Sequence, residues 1–292
     1  MIMRKRKTAL TFWGTRGSIP SPGKDKVKYG GNTSCVELRL PDNQLIILDG
    51  GSGIRELGNA LITKKKPVRA YILLTHYHWD HIQGLPFFAP AYKEDNDLTI
   101  LGAKHPQFSL HKIFTSQMES IHFPVKASSL AAHIKFKELS AKNNTIANTD
   151  LQFIRANHPG TTYSFSFSFD NVKMVYMTDN ELIPNTDKVK SHITYNRQKF
   201  IDFIDGADVL IHDAQYGNKE YQVKKGWGHS PWKETVTLAV ESGVKHLILF
   251  HHDPDHDDRF IDAIVKDSKA LLKKMDVPTK CSGAMEGKTV VL

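Results

Sequence analysis

The segment "LLTHYHWDHIQGLPFF" brings His76, His78, Asp80 and His81 together within six positions, directly behind an apolar run. Imidazole nitrogens and carboxylate oxygens are metal donors, and they must converge at about 2.0–2.2 Å from an ion. Histidines at i and i+2 after a strand can aim their rings the same way. Asp80 and His81 can then serve a second ion once the loop curls. A polar loop with chance histidines is the competing reading, and four ligand-type residues behind a buried strand argue against it. Three other places carry the same residue types. "RANHPGTTYSF" sets His158 at a strand end, and "VYMTDNE" sets Asp179 in an Asp-Asn pair that also suits an ordinary Asx turn. "LILFHHDPDHDD" puts three histidines and four aspartates behind another apolar run. That stretch reads as a site of its own, as one piece of a larger site, or as a polar loop.

These residues need strands that end at them. "ALTFWG", "SCVELRL" and "QLIILDGGSG" alternate with Gly-, Pro- and Asn-rich turns and predict a β-meander. "GIRELGNALITK" has helical spacing, and "VRAYILLTH" is a buried strand. Residues 82–123 predict a loop, a short strand ("LTILGA") and a helix ("PQFSLHKIFTSQMESI"). "HIKFKEL" and "LQFIRANH" are strands. "TTYSFSFSFD" and "VKMVYMTD", two residues apart, predict a hairpin. "RQKFIDFIDGA", "SPWKETVTLAVESG" (Ser230 as N-cap, Gly243 closing it) and "DDRFIDAIVKDSKALLKKM" predict helices, with strands "DVLIHD" and "KHLILF" between them. The order is mostly β first and mixed afterwards, which predicts one domain of layered α/β type over 1–292.

Composition narrows the class. The 292 residues can bury a sizeable core, and 40% hydrophobic with 24% charged residues is ordinary for a globular chain. No run of about 18 apolar residues predicts a membrane span, and "MIMRKRKTALTFW" lacks the apolar stretch of a signal peptide. Only Cys35 and Cys281 are present, far apart, which argues against a disulfide scaffold or thiolate site and suits the cytoplasm. The formal charge of +8 suits a phosphate-bearing substrate, or is simply a basic solvated surface.

The motif His76, His78, Asp80, His81 resembles the HxHxDH signature of the metallo-β-lactamase superfamily. The resemblance implies a four-layer αββα sandwich with two divalent ions at the sheet edges. It implies that His76, His78 and His158 hold one ion, that Asp80, His81 and His251 hold the other, and that Asp179 bridges them. "LILFHHDPDH" parallels "ILLTHYHWDH", which places His251 over His76 and leaves His252 as its competitor. His256 then falls in the loop or at the pocket rim, and Asp49 supports the ligands from behind. The donor set suits Zn²⁺ or Mn²⁺, with Fe²⁺ as a third option.

Within the superfamily, "HDAQY" and "GWGHSPW" resemble two segments of ribonuclease Z and its phosphodiesterase relatives. That implies a catalytic pair in which Asp213 orients His229 toward the substrate phosphate, with Asp80 also at the reaction centre. Asp stands here where ribonuclease Z has Glu. "FWGTRGSIPSPG", "YGGNTSCVE", "LDGGSGIRELG" and "LFHHDP" extend the resemblance over nearly the whole chain, toward a phosphoribosyl cyclic phosphodiesterase-like group. Gly14, Gly17, Gly30 and Gly31 permit turns that aim N–H groups at an anion, and Arg16 and Asn32 are candidates to approach substrate.

Ribonuclease Z carries a long arm for tRNA, usually between the third histidine and the bridging aspartate. Here Asp179 follows His158 by 21 positions, room for a hairpin only. The implied partner is therefore a small, cyclic nucleotide or ribose phosphodiester. A nuclease acting on RNA or DNA ends is the alternative, followed by a lactonase- or β-lactamase-type hydrolase. Residues 104–147 are a candidate lid or homodimer surface, where Phe114, Met118, His122 and Phe123 cover a base or sugar, or form core.

Overall fold

Strand alternation decides which layer each side chain enters. In Ala9–Gly14 (β1), Leu10 and Phe12 point one way and the intervening residues the other. In Leu45–Leu48, Ile46 and Leu48 enter one core while Leu45 and Ile47 enter another, so a fully apolar run marks a strand covered on both faces. The structure is a computed structural model, and it describes residues 7–139, 144–182 and 196–292. Arg4 to Arg6, part of the basic N-terminal run, lie outside the described residues, as do 140–143 of the candidate lid.

After β1 the chain forms Cys35–Arg39 (β2), Leu45–Leu48 (β3), Ile54–Ile62 (α1), Arg69–Leu73 (β4), Trp79–Ile82 (α2), Asp97–Gly102 (β5), Leu110–Ser116 (α3) and His133–Glu138 (β6). It continues through Asn144–Ile146 (β7), Thr149–Arg155 (β8), Tyr163–Phe169 (β9), Val172–Met177 (β10), Arg197–Ile204 (α4), Val209–Asp213 (β11) and Asn218–Lys224 (α5). Trp232–Glu241 (α6), His246–Phe250 (β12), Asp258–Lys274 (α7), Lys280–Gly283 (β13) and Thr289–Val291 (β14) complete it. One sheet has the order β14-β1-β2-β3-β4-β5-β6, the other β13-β12-β11-β10-β9-β8-β7. β1, β2 and β3 are the antiparallel meander; β3 to β6 run parallel, as do β10 to β13.

Leu10, Phe12 and Leu48 of one sheet meet Phe165, Phe167, Ile211 and Phe250 of the other in the central core. Helices α1 and α3 cover the outer face of the first sheet. Helices α4, α6 and α7 cover that of the second. The result is four layers, αββα. Each fully buried Leu, Ile or Phe contributes about 1.5–3 kcal/mol, so three cores hold the sheet edges in fixed register. Among the described residues no helix is long and apolar enough to cross a membrane.

Local expectations meet some differences. The hairpin β9–β10 turns through Asp170 and Asn171, both at positive φ (43° and 63°), the backbone that a two-residue turn demands. The helix expected over 106–121 is confined to Leu110–Ser116, because Ser109 caps it by accepting from Lys112 N. Ser230 does not cap α6. Pro231 takes that place, and the Ser230 hydroxyl instead donates to Asn180 O and accepts from Leu182 N. Asp257 does cap α7, while Asp258 accepts from Lys28 N and Tyr29 N. Residues 97–102 and 133–138 extend the first sheet, and Phe114 and Met118 are core beneath it. Phe123 packs against that core and His122 is exposed.

Candidate metal centre

The C-terminal ends of β3, β4, β10, β11 and β12 reach one edge of the sandwich, where Asp49, the 75–81 loop, Asp179 and His251 follow their strands and Asp213 ends β11. Asp49, Asp179 and His251 all adopt left-handed backbone (φ 61°, 47° and 58°). Each is a non-glycine in a conformation that costs on the order of 1 kcal/mol or more. The turn breaks the alternation of the strand just before it and points the side chain along the sheet edge.

His76, His78, His158 and Asp179 form one donor group, and Asp80, His81, Asp179 and His251 a second. In the second, His81 Nε2 lies 3.1 Å from Asp179 Oδ1 and 3.3 Å from Asp80 Oδ2. His251 Nε2 lies 3.2 Å from each of those oxygens and 3.3 Å from His81 Nε2. A tetrahedron of donors about 2.0–2.1 Å from an ion has edges of about 3.3 Å, so the set fits a divalent ion. In the first, His78 Nδ1 lies 2.9 Å from His76 Nε2 and 3.1 Å from His158 Nε2. Asp179 Oδ2 lies 3.6 Å from both of the other rings. The two oxygens of Asp179 thus face different donor groups.

In four of the five histidines the opposite ring nitrogen is anchored. His81 Nδ1 lies 2.9 Å from Asp49 Oδ2, and Asp49 also accepts from Thr75 N, Thr75 Oγ1 and Tyr176 Oη. His76 Nδ1 lies 3.1 Å from Thr75 Oγ1, and His158 Nδ1 2.9 Å from Gly228 O. His251 Nδ1 meets Gln215 Oε1 at 2.9 Å, while Gln215 Nε2 donates to Asp253, itself paired with Lys224. An anchored Nδ1–H leaves Nε2 as the lone-pair donor. Ser18 N donates to Asp80 Oδ2 at 2.8 Å, which places the "GTRGS" turn against the second donor group.

Burial drives His76 well below the usual imidazole range, with neighbouring histidines adding to it, and drives His158 down to about 4. Burial alone would raise Asp179, but His251, His81 and His76 outweigh it and hold the carboxyl well below its ordinary value. Burial would likewise lower His81, yet Asp179, Asp80 and Asp49 push it well above.

Outside both groups, His229 Nδ1 lies 2.8 Å from Asp213 Oδ2, so an Asp at this position reaches the ring. His229 is stacked on His251 (centroids 4.9 Å, 19°) and tilted against His158 at 5.1 Å. Its burial would lower its pKa, but the charge and hydrogen bond of Asp213 raise it to about 9. Its Nε2 has no hydrogen-bond partner among the described residues.

A model described as "Beta-lactamase superfamily domain" matches residues 45–252, a span that holds every strand end named above. The chain belongs to that superfamily. It is 27% identical to a ribonuclease Z of Streptococcus suis, over 92% of this chain and 96% of that protein. The metallo-β-lactamase fold protein YhfI from Bacillus subtilis superposes with a TM-score of 0.71 at 20% identity, covering 98% of this chain and all of that one (100%). A diphosphatase from the PhnP family superposes with a TM-score of 0.67 at 16% identity, covering 97% of each chain.

Four residues that the sequence singles out lie outside the two donor groups. Arg16 is wholly buried, with Nε donating to Gly30 O and Nη1 to Asp253 O and His256 O. Asn32 is tied to Glu286 and Ser52. Both are tied into the loops behind the centre. His252 turns away to Ala284 O, and His256 pairs with Glu220. The sequence reading assigned no role to Gln215, Tyr176 or Glu181. Glu181 accepts from Gly226 N, Gly228 N and Tyr221 Oη and so pins the His229 loop. Its one signal was a carboxylate two positions after Asp179.

Proposed function

We propose that the protein is a dinuclear metal-dependent phosphodiesterase that hydrolyses a small cyclic nucleotide or ribose phosphodiester. The observation that carries this is Asp179, whose oxygens face two donor groups beside the separate Asp213–His229 pair. His76, His78, His158 and Asp179 would hold one ion, and Asp80, His81, His251 and Asp179 the other, in one catalytic domain. When bound, two divalent ions supply an activated water near neutral pH and positive charge against phosphoryl oxygens. Zn²⁺ or Mn²⁺ suits the all His/Asp set, with Fe²⁺ third.

The chain's own residues do the rest. Asp49, Thr75, Gly228 and Gln215 fix the rings that the ions would need. Asp213 holds the Nδ1 side of His229, which leaves Nε2 to neutralise a phosphoryl oxygen or to pass a proton to the leaving ribose oxygen. Between His158 and Asp179 the chain is spent on the β9–β10 hairpin inside the sheet, which supports a compact substrate over folded tRNA. A nuclease acting on RNA ends is the second reading, supported by the ribonuclease Z of S. suis matched over 96% of its length. A lactonase or β-lactamase has no evident use for the Asp213–His229 pair. We place the enzyme in the cytoplasm as a homodimer.

A panel of cyclic nucleotides, bis-(p-nitrophenyl) phosphate, tRNA precursor and nitrocefin, each with Zn²⁺ or Mn²⁺, tests the reading. Turnover of a cyclic phosphodiester is expected. Cleavage of the precursor alone would favour the nuclease, and turnover of nitrocefin alone would sink both. His229→Ala should lower kcat by about 10²–10⁴ with metal retained; full activity would remove His229 from the reaction.

A further inference from the structure

The chain has four tryptophans. Trp13 donates to Glu37 at 2.9 Å, and Trp232 packs against the core under α6. The other two, Trp79 and Trp227, are 79% and 62% exposed. Both belong to the metal centre's own loops. Trp79 sits between His78 and Asp80. Trp227 precedes Gly228, whose carbonyl anchors His158, and stands two positions before His229.

The exposure of the centre is one-sided. Asp80, His81, Asp179 and His251 are buried and the His158 side chain is only 3% exposed, whereas His78 is exposed. Water, and hence substrate, reaches the donor groups from the His78 side; Trp79 directly follows His78 in the chain, and Trp227 directly precedes the glycine that anchors His158. Their backbones are fixed. Trp79 opens α2 and its carbonyl accepts from Gln83 N at 2.7 Å. Trp227 N donates to Lys224 O, and the glycines on either side of it both donate to buried Glu181. Among the described residues neither indole has a ring partner or a side-chain hydrogen bond. Large flat faces on rigid mounts, left in water beside a reaction centre, offer stacking at low ordering cost. An anionic phosphodiester brings no cation to such a face; the matching flat group it can carry is a nucleobase.

We propose that Trp79 and Trp227 stack the nucleobase of the substrate, which makes the enzyme selective for base-bearing phosphodiesters over base-free ribose cyclic phosphates. This rests on the phosphodiesterase reading above. The test compares kcat/KM of the metal-loaded full chain for a cyclic adenosine phosphate and for the methyl riboside carrying the same cyclic phosphate. Trp79→Ala and Trp227→Ala should each lower the preference for the adenosine compound by about 5- to 100-fold, mainly through KM, as expected for one lost base stack. Trp79→Phe should keep most of it. AMP should quench tryptophan fluorescence where ribose 5-phosphate does not, and the quench should fall in both alanine variants. Equal losses on the two substrates would overturn the proposal, as would equal quenching by the two monophosphates. So would an unchanged preference together with a dimer turned monomer in light scattering, which would make the indoles interface residues. If the native enzyme turns over neither phosphodiester, the phosphodiesterase reading fails, and the AMP comparison still decides the stacking.

Discussion

A methyl group on Gly17 would lie 2.3 Å from His251 Cε1, and one on Gly228 would lie 2.3 Å from His158 Nδ1. Each glycine therefore makes room for one imidazole, and the two imidazoles belong to different donor groups. Gly17→Ala should weaken the ion proposed for Asp80, His81 and His251. Gly228→Ala, strained further by its φ of +89°, should weaken the ion proposed for His76, His78 and His158. About 10- to 100-fold in affinity for one ion is expected from such misorientation. Metal content per folded chain, measured across a chelator series, checks it; native affinity for both ions in both variants would show that the rings can yield. At this scale the HxHxDH residues were legible because type and spacing sit within six positions. Gln215 was not. Its role depends on His251 and Asp253, 36 and 38 positions away, and an isolated glutamine after a strand carries no sign of either.

Elements were legible where the signal is local. The hairpin at Asp170–Asn171 and the helix α7 follow from turn chemistry and apolar spacing. The caps and strand exits were less so, because tertiary partners decide them. The left-handed turns at Asp49, Asp179 and His251 use residue types that tolerate that backbone, but Asp and His are common elsewhere and do not locate a turn by themselves. Ser230, which reads as an N-cap, joins the exit of β10 to the His229 loop through Asn180 O and Leu182 N. Ser230→Ala leaves both groups buried without that partner, at about 1–3 kcal/mol. Denaturant melts should show that loss together with reduced kcat, since both flanks carry site residues; an unchanged midpoint would refute the bridging role. At the opposite end of the same strands, Asp208 accepts from Lys173 N and from Lys245 Nζ at 2.7 Å, with its carboxyl lowered although burial opposes it. A depressed carboxylate stabilises fully above its unfolded value of about 3.9 and loses that contribution as pH falls through the lower folded value. Asp208→Asn should cost about 0.5–1 kcal/mol at neutral pH, and the difference in melts should vanish in acid. A penalty that persists there would assign it to the hydrogen bond to Lys173 and not to charge.

The layered architecture was legible from the order of the strands, but not which sheet delivers which donor. His76, His78, Asp80 and His81 follow β4 of one sheet; His158, Asp179 and His251 follow β8, β10 and β12 of the other. The proposed ions would therefore bind across the seam between the two sheets, a site that exists only when both have folded and packed. A ligand that binds only the folded state stabilises it by RT ln(1 + [L]/Kd), about 4 kcal/mol at a thousand-fold excess over Kd. For a chain of 292 residues that amounts to roughly 7 °C in Tm. Chelation should therefore lower the calorimetric Tm by about that much, and Zn²⁺ or Mn²⁺ should restore it. His229→Ala, at a residue proposed to touch substrate and not the ions, should keep the full metal-dependent shift. Asp179→Asn, which removes the charge shared by both donor groups, should lose most of it. A Tm indifferent to chelator in a protein shown to release its metal would mean that the central core alone holds the seam closed.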